Sequence, residues 1–247
     1  MTTKEFSNQF DIYYNGIATN SAPPIDLYEK SVYLTDAQLE IVNNYFNPKG
    51  NKYQEGFENS TKRRNDLEEL IRNYKSTTII PSSDGISEKS KFFRIPKDTY
   101  LIIQEKSLVT STTNCSNEQY LKTVPKTHDE FNIQENNPFK RPDKKLVWRM
   151  NYFSQTGNNK NVELISEFNI KEYKFRYVKY PLPIILTNLS TAFPSENLTI
   201  NGVSQEQTCA LNESTCIEIL KRAVEMATAD YNPNSLAVKT QMNFRNE

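Results

Sequence analysis

With 247 residues and a mass of 28.7 kDa, the chain is long enough to bury a core without metal or disulfide staples. Thirty lysines and arginines balance thirty aspartates and glutamates, which excludes a global field drawing the protein to nucleic acid or an anionic membrane. The mean hydropathy of −0.71 is polar for a globular protein, yet 14 tyrosines and 13 phenylalanines supply core material, so aromatics are expected to dominate the packing.

The first elements are helical. Phe6, Phe10, Tyr13 and Ile17 recur at helical spacing and predict a short amphipathic helix, broken by "NSAPPID". In "YLTDAQLEIVNNYFNPKG", Thr35 followed by Gln38 reads as a capping box, Leu34 and Leu39 as its staple, and Asn47-Pro48 with Gly50 as the stop. A second helix is expected over "GFENSTKRRNDLEELIRNYKS", with Phe57, Leu67, Leu70, Ile71 and Tyr74 on its apolar side. The two predict an antiparallel helical hairpin.

After the polar linker "PSSDGISEKSK" the pattern changes to strands: "KFFRIP", "TYLIIQ", "KSLVT", "KLVWRMNYF", "NVELISEF" and "EYKFRYVKYPLPIIL". In the last of these, Tyr173, Phe175 and Tyr177 point one way while Lys174, Arg176 and Val178 point the other, giving one aromatic and one largely basic face. Residues 111–145 are polar and aperiodic, and a connection of that length is expected to be an excursion that contacts something else. Deleting 126–145 is therefore expected to spare the fold and weaken assembly. At the C-terminal end, Asn212 caps a helix, Leu211 and Cys216 staple it, and Cys216, Ile219, Leu220, Ala223 and Ala227 form its apolar stripe up to Asn232-Pro233.

The pattern amounts to an α+β fold with an N-terminal helical hairpin, a central, mostly antiparallel β-sheet and a C-terminal helix. The regions fall at 1–80, at 81–206 with the polar excursion inside it, and at 207–247 for the C-terminal helix and tail.

Residue types that do chemistry are scarce. The only histidine, His128, lies in the polar excursion, and there is no H-E-x-x-H, no phosphate-cradling glycine loop and no G-x-S-x-G. Cys115, Cys209 and Cys216 are odd in number, without metal-ligand spacing, and read as free thiols. Five Asn-x-Ser/Thr sequons match the about four or five that chance gives in a chain this rich in Asn, Ser and Thr. The expectation is no enzyme, no cofactor and no metal. No apolar run approaches the roughly 20 residues of a membrane-crossing helix, and "MTTKEFSNQF" lacks the apolar core of a signal peptide, so no membrane contact is expected.

The stretches "EKSVYLTDAQLEIV", "GFENSTKRRNDLEELI", "KYPLPIILTNLS" and "LTINGVSQEQTCALNESTCIEILKRAVEMA" resemble a family of virion structural proteins of crAss-like bacteriophages. The resemblance covers about 75 N-terminal and 60 C-terminal residues and carries packing and capping patterns rather than active-site signatures. It implies a virion protein made in the host cytoplasm, a ring of about twelve copies in the portal and tail region. Its implied partners are its own copies, the portal, neighbouring ring or tail proteins and, as an open option, packaged DNA. The expected interface residues are Arg63, Arg64, Phe139, Lys140, Arg141 and Trp148. The rival reading is a single-stranded nucleic-acid-binding module that stacks bases on Tyr173, Phe175 and Tyr177.

Overall fold

The computed structural model describes residues 1–15, 23–46, 61–82, 84–110, 118–134, 137, 139, 145–154 and 159–231. It is α+β, as expected, and divides into two compact units, residues 1–70 with 181–247 and residues 71–180. The division differs from the sequence reading because the N-terminal helices and the C-terminal helix share one unit, while the chain between them forms the sheet.

In the helical unit, α1 (Thr3–Asn15) buries Phe6, Phe10 and Tyr14 and leaves Tyr13 exposed, since spacing by four keeps one stripe facing the core. Helix α2 (Leu27–Phe46) starts eight residues before the Thr35 cap read from sequence. Its cap is Asp26: the Glu29 amide donates to Asp26 Oδ1 at 2.7 Å, and the Asp26 amide donates to Glu29 Oε2 at 3.3 Å, a reciprocal box. Thr35 and Gln38 do other work in mid-helix. The Ile184 and Leu186 amides donate to Thr35 Oγ1 and Ser31 Oγ at 3.1 and 3.0 Å, and Gln38 Nε2 donates to the Leu182 carbonyl at 3.1 Å. Polar side chains spaced along α2 thus satisfy an extended segment that buries Ile184 and Ile185. On its other side that segment bonds through Ile185 to Gln207 in both directions, shortly before the single-turn helix α5 (Leu189–Ala192).

The expected second helix is cut short. Helix α3 (Thr61–Leu67) runs into a 3₁₀ turn at Glu68–Leu70, and Ile71–Ser76 is strand β1. Residues 47–60 lie outside the described residues. The antiparallel partner of α2 is therefore α6 (Glu213–Tyr231), which is zipped to it along its length. Tyr231 Oη donates to Glu29 at 2.9 Å at one end, Arg222 forks onto both oxygens of Glu40 at 2.8 and 2.9 Å in the middle, and Tyr45 Oη donates to Glu218 at 3.2 Å at the other.

Helix α6 matches its prediction. The Thr215 amide donates to Asn212 Oδ1 at 2.9 Å, and Cys216, Ile219, Leu220, Ala223 and Ala227 are all buried. Asn212 also donates from Nδ2 to the buried Asp66 at 2.6 Å, locking the start of α6 to α3. Replacing Asn212 by Ala is expected to remove both bonds and lower stability by about 1–2 kcal/mol, read as a lower denaturant midpoint.

The second unit is one eight-stranded sheet in the order β1-β8-β4-β5-β6-β7-β3-β2, with β2 at Ile79–Ile80, β3 at Ser90–Arg94, β4 at Thr99–Thr110, β5 at Glu118–Pro125, β6 at Leu146–Ser154, β7 at Asn159–Ile165 and β8 at Asn169–Lys179. Strands β8 and β3 are five places apart, about 24 Å in a flat sheet. Yet the Tyr173 ring on β8 lies 6.2 Å from the Phe93 ring on β3. The sheet must curl on itself, and Lys160 Nζ of β7 donates across it to the Thr99 carbonyl of β4 at 2.9 Å. The enclosed core joins Phe93, Val109, Leu121, Val147, Val162, Leu164, Tyr173, Phe175 and Tyr177. The aromatic face of β8 is therefore core, and the expected base-stacking platform is not available: Tyr173, Phe175 and Tyr177 are all buried.

The polar excursion has structure that periodicity did not reveal. It contains β5 and helix α4 (His128–Gln134), capped by Thr127 through the Glu130 amide at 3.3 Å. Strand β5 pairs antiparallel with β4 and parallel with β6, so α4 belongs to the crossover that a parallel pair requires. Its Phe131 packs edge-on against Trp148, 5.8 Å between centroids, and covers Met150 and Ile165 on the outer side of the sheet. Helix α4 is therefore part of the packing of the sheet, against the expectation that 126–145 is dispensable for folding.

Candidate interaction surfaces

The expected interface residues separate. Arg63 is buried, its guanidinium 5.6 Å from the centroid of the Tyr45 ring, and Arg64 beside it is exposed, donating to Thr61 Oγ1 at 3.2 Å. Phe139, in the sheet unit, is 96% exposed. Lys140 and Arg141 lie outside the described residues. Trp148 is 1% exposed beneath Phe131, because strand alternation places it and Met150 on the face that α4 covers. It is a core residue of the folded subunit and offers no surface to a neighbour.

His128 is exposed at the first turn of α4, and among the described residues no cluster of three or more His, Cys, Asp or Glu could hold a metal. Cys209 and Cys216 are free thiols near the start of α6, where Cys216 Sγ donates to the Leu211 carbonyl at 3.4 Å. No described helix is long and apolar enough to cross a membrane. Among the described residues, three ionisable groups meet inside the sheet. Arg149 Nε lies 2.8 Å from Glu105 Oε2, and Tyr173 Oη donates to the same oxygen at 2.7 Å. Burial pushes the Glu105 carboxyl above its usual range in spite of Arg149 and Tyr173.

The strongest surface feature is on the outer side of β1, β8, β4 and β5. Register places Lys75 opposite Lys174, Lys174 opposite Lys106, and Lys106 opposite Lys122, so four lysines form one row across four strands. The next row holds Asn73, Arg176 and Gln104, and both rows border an open depression. Side-by-side like charges on neighbouring strands repel. Two devices temper this. Glu172, buried by its neighbours, takes Lys75 at 2.5 Å and Lys174 at 2.9 Å, and the Tyr120 ring lies between Lys106 and Lys174 at 4.7 and 4.9 Å from its centroid. Burial opposes the Glu172 charge, but hydrogen bonds from Lys75, Lys174 and Tyr120 outweigh it and hold the carboxyl below its ordinary value. The basic face of β8 was legible from alternation. Its continuation through Lys75, Lys106 and Lys122 was not, because strand neighbours this far apart in sequence are set by topology.

A charged, open face of this kind can receive another macromolecule. A family model described as phage tail ring protein 3/4 matches residues 1–239. The chain is 40% identical over 255 residues to ring protein 4/5 of Bacteroides phage crAss001, covering all of both chains. It is also 35% identical over 228 residues to ring protein 3 of the same phage, covering 92% of this chain and 95% of that protein.

Proposed function

Because the chain belongs to the phage tail ring protein 3/4 family, and is thus a structural ring protein of a bacteriophage, we propose that it forms a ring between the portal and the tail. The ring contains about twelve copies in cyclic symmetry. It sits at the head–tail junction of the virion, after synthesis in the host cytoplasm, and contacts the portal or a neighbouring ring or tail protein on each side. Its work is mechanical joining and not catalysis.

The observation that carries this reading is the extent of the match. It runs through both units, which supports a ring module built from the helical unit and the curled sheet together. Two ring proteins of one phage align with nearly the whole chain, which supports a stack of related rings. Phe139 and Arg64 are exposed and available to such contacts. In a closed ring each contact is repeated around the axis, so modest pairwise affinity gives a stable assembly.

Gold labelling of a tagged copy in purified virions tests the placement. Label confined to the junction, together with tailless heads when the gene is blocked, is the expected result. Label spread over the head, or absence of the chain from virions, contradicts it.

A further inference from the structure

The charge of the chain is unevenly divided between its units. The helical unit carries 11 lysines and arginines against 18 aspartates and glutamates, a net charge of −7. The sheet unit carries 19 against 12, a net charge of +7. The balanced total conceals two opposite and equal surpluses.

Each surplus has a focus. On the sheet unit it is the row of Lys75, Lys174, Lys106 and Lys122, backed by Arg176, in which Glu172 is the one carboxylate bonded to the lysines among the described residues. On the helical unit, the bond from Asn212 to Asp66 brings the start of α6 beside the end of α3. The exposed Glu68 and Glu69 of the turn after α3 and the exposed Glu213 of α6 therefore gather at one end of that unit, flanked by the exposed Arg64 and by Lys62, which pairs with Glu218 at 2.6 Å.

A row of four lysines costs the isolated subunit stability, a cost that an anionic partner surface relieves. Nucleic acid is one anionic chemistry. However, it matches the lysine row alone and leaves the opposite surplus of the helical unit unmatched. Charge segregation does serve a repeating contact between copies, where each joint sets a +7 unit against a −7 unit and the assembly stays neutral. We propose that the lysine row of one copy docks on the Glu68, Glu69 and Glu213 end of the next, head to tail. Such a heterologous contact closes into a ring when its rotation closes. The inference rests on the ring reading above and adds which surfaces meet.

The test is a charge swap on the full chain. One variant carries Lys106→Glu and Lys122→Glu, the other Glu69→Lys and Glu213→Lys, with circular dichroism and melting confirming that each is folded. Self-association is followed by native mass spectrometry and sedimentation at about 0.1 M salt, where charge contacts persist. The expected result is that each variant alone associates at least about tenfold more weakly than the wild type. An equal mixture should recover association, since every joint then pairs opposite charges.

Variants that assemble like the wild type, or a mixture that fails to recover, overturn the proposal while leaving the ring reading intact. A charge-dependent cross-link between these residues that forms only within one copy overturns it too. So does duplex DNA binding that depends on Lys106 and Lys122 with self-association unchanged. A wild-type chain that never self-associates defeats the ring reading itself.

Discussion

A chain lacking residues 126–145 is expected not to fold its sheet unit. Strand β5 ends at Pro125, opposite Arg149, while β6 begins at Leu146, opposite Lys122. Joining 125 directly to 146 asks one peptide link of about 3.8 Å to cover roughly 10 Å along the strands and a further strand spacing across them. The deletion also strips Phe131 from Trp148, Met150 and Ile165. A milder variant isolates the packing contribution: Phe131→Ala leaves the connection intact and is expected to cost about 3–5 kcal/mol. Trp148 is the only tryptophan in the chain, so its fluorescence reports α4 docking directly. A red shift on Phe131→Ala is the expected outcome, and an unchanged spectrum with unchanged stability contradicts the packing described.

Replacing Arg149 by Met is expected to destabilise the sheet by about 3–5 kcal/mol, because the buried Glu105 then loses its cation and must either stay charged unpaired or take up a proton. Tyr173 remains as a donor to that carboxylate but brings no charge. The double variant Glu105→Leu with Arg149→Met removes both charges and is expected to recover most of the loss, since an apolar pair of similar volume replaces a costly buried ion pair. Chemical denaturation of the three proteins measures the coupling. A single variant as stable as the wild type, or a double variant no better than the single, shows that the pair is not a buried charge pair of the kind drawn here.

The parts of the fold that were legible in the sequence are those decided locally. Helix α6 was readable because Asn212, Leu211 and the stripe from Cys216 to Ala227 all agree. The strands of the sheet core were readable from alternation, though "TYLIIQ" and "KSLVT" are one strand, β4, whose bulges interrupt the period. What failed was decided at a distance. Leu67, Leu70, Ile71 and Tyr74 have helical spacing, but β8 offers Ile71–Ser76 a full antiparallel ladder, and the ladder wins.

Thr35 and Gln38 mimic a capping box because α2 needs polar side chains there to bind the 182–186 backbone. The true caps were present and unread, Asp26 with Glu29 and Thr127 three residues before Glu130. Strand β5 escaped notice because its inward side offers only Leu121 and Thr123, the latter hydrogen-bonded to Ser107 at 2.8 Å. For the candidate site, alternation revealed that Lys174 and Arg176 face outward. It could not reveal that Lys75, Lys106 and Lys122 stand beside them, nor that Trp148, close in sequence to many basic residues, is roofed by α4.

Electron microscopy of the purified full chain, class-averaged end-on, tests the central claim most directly. Closed rings of one diameter with cyclic symmetry are the result this account predicts. A population of monomers or of two-fold dimers, with no closed ring across the concentration range, would contradict it.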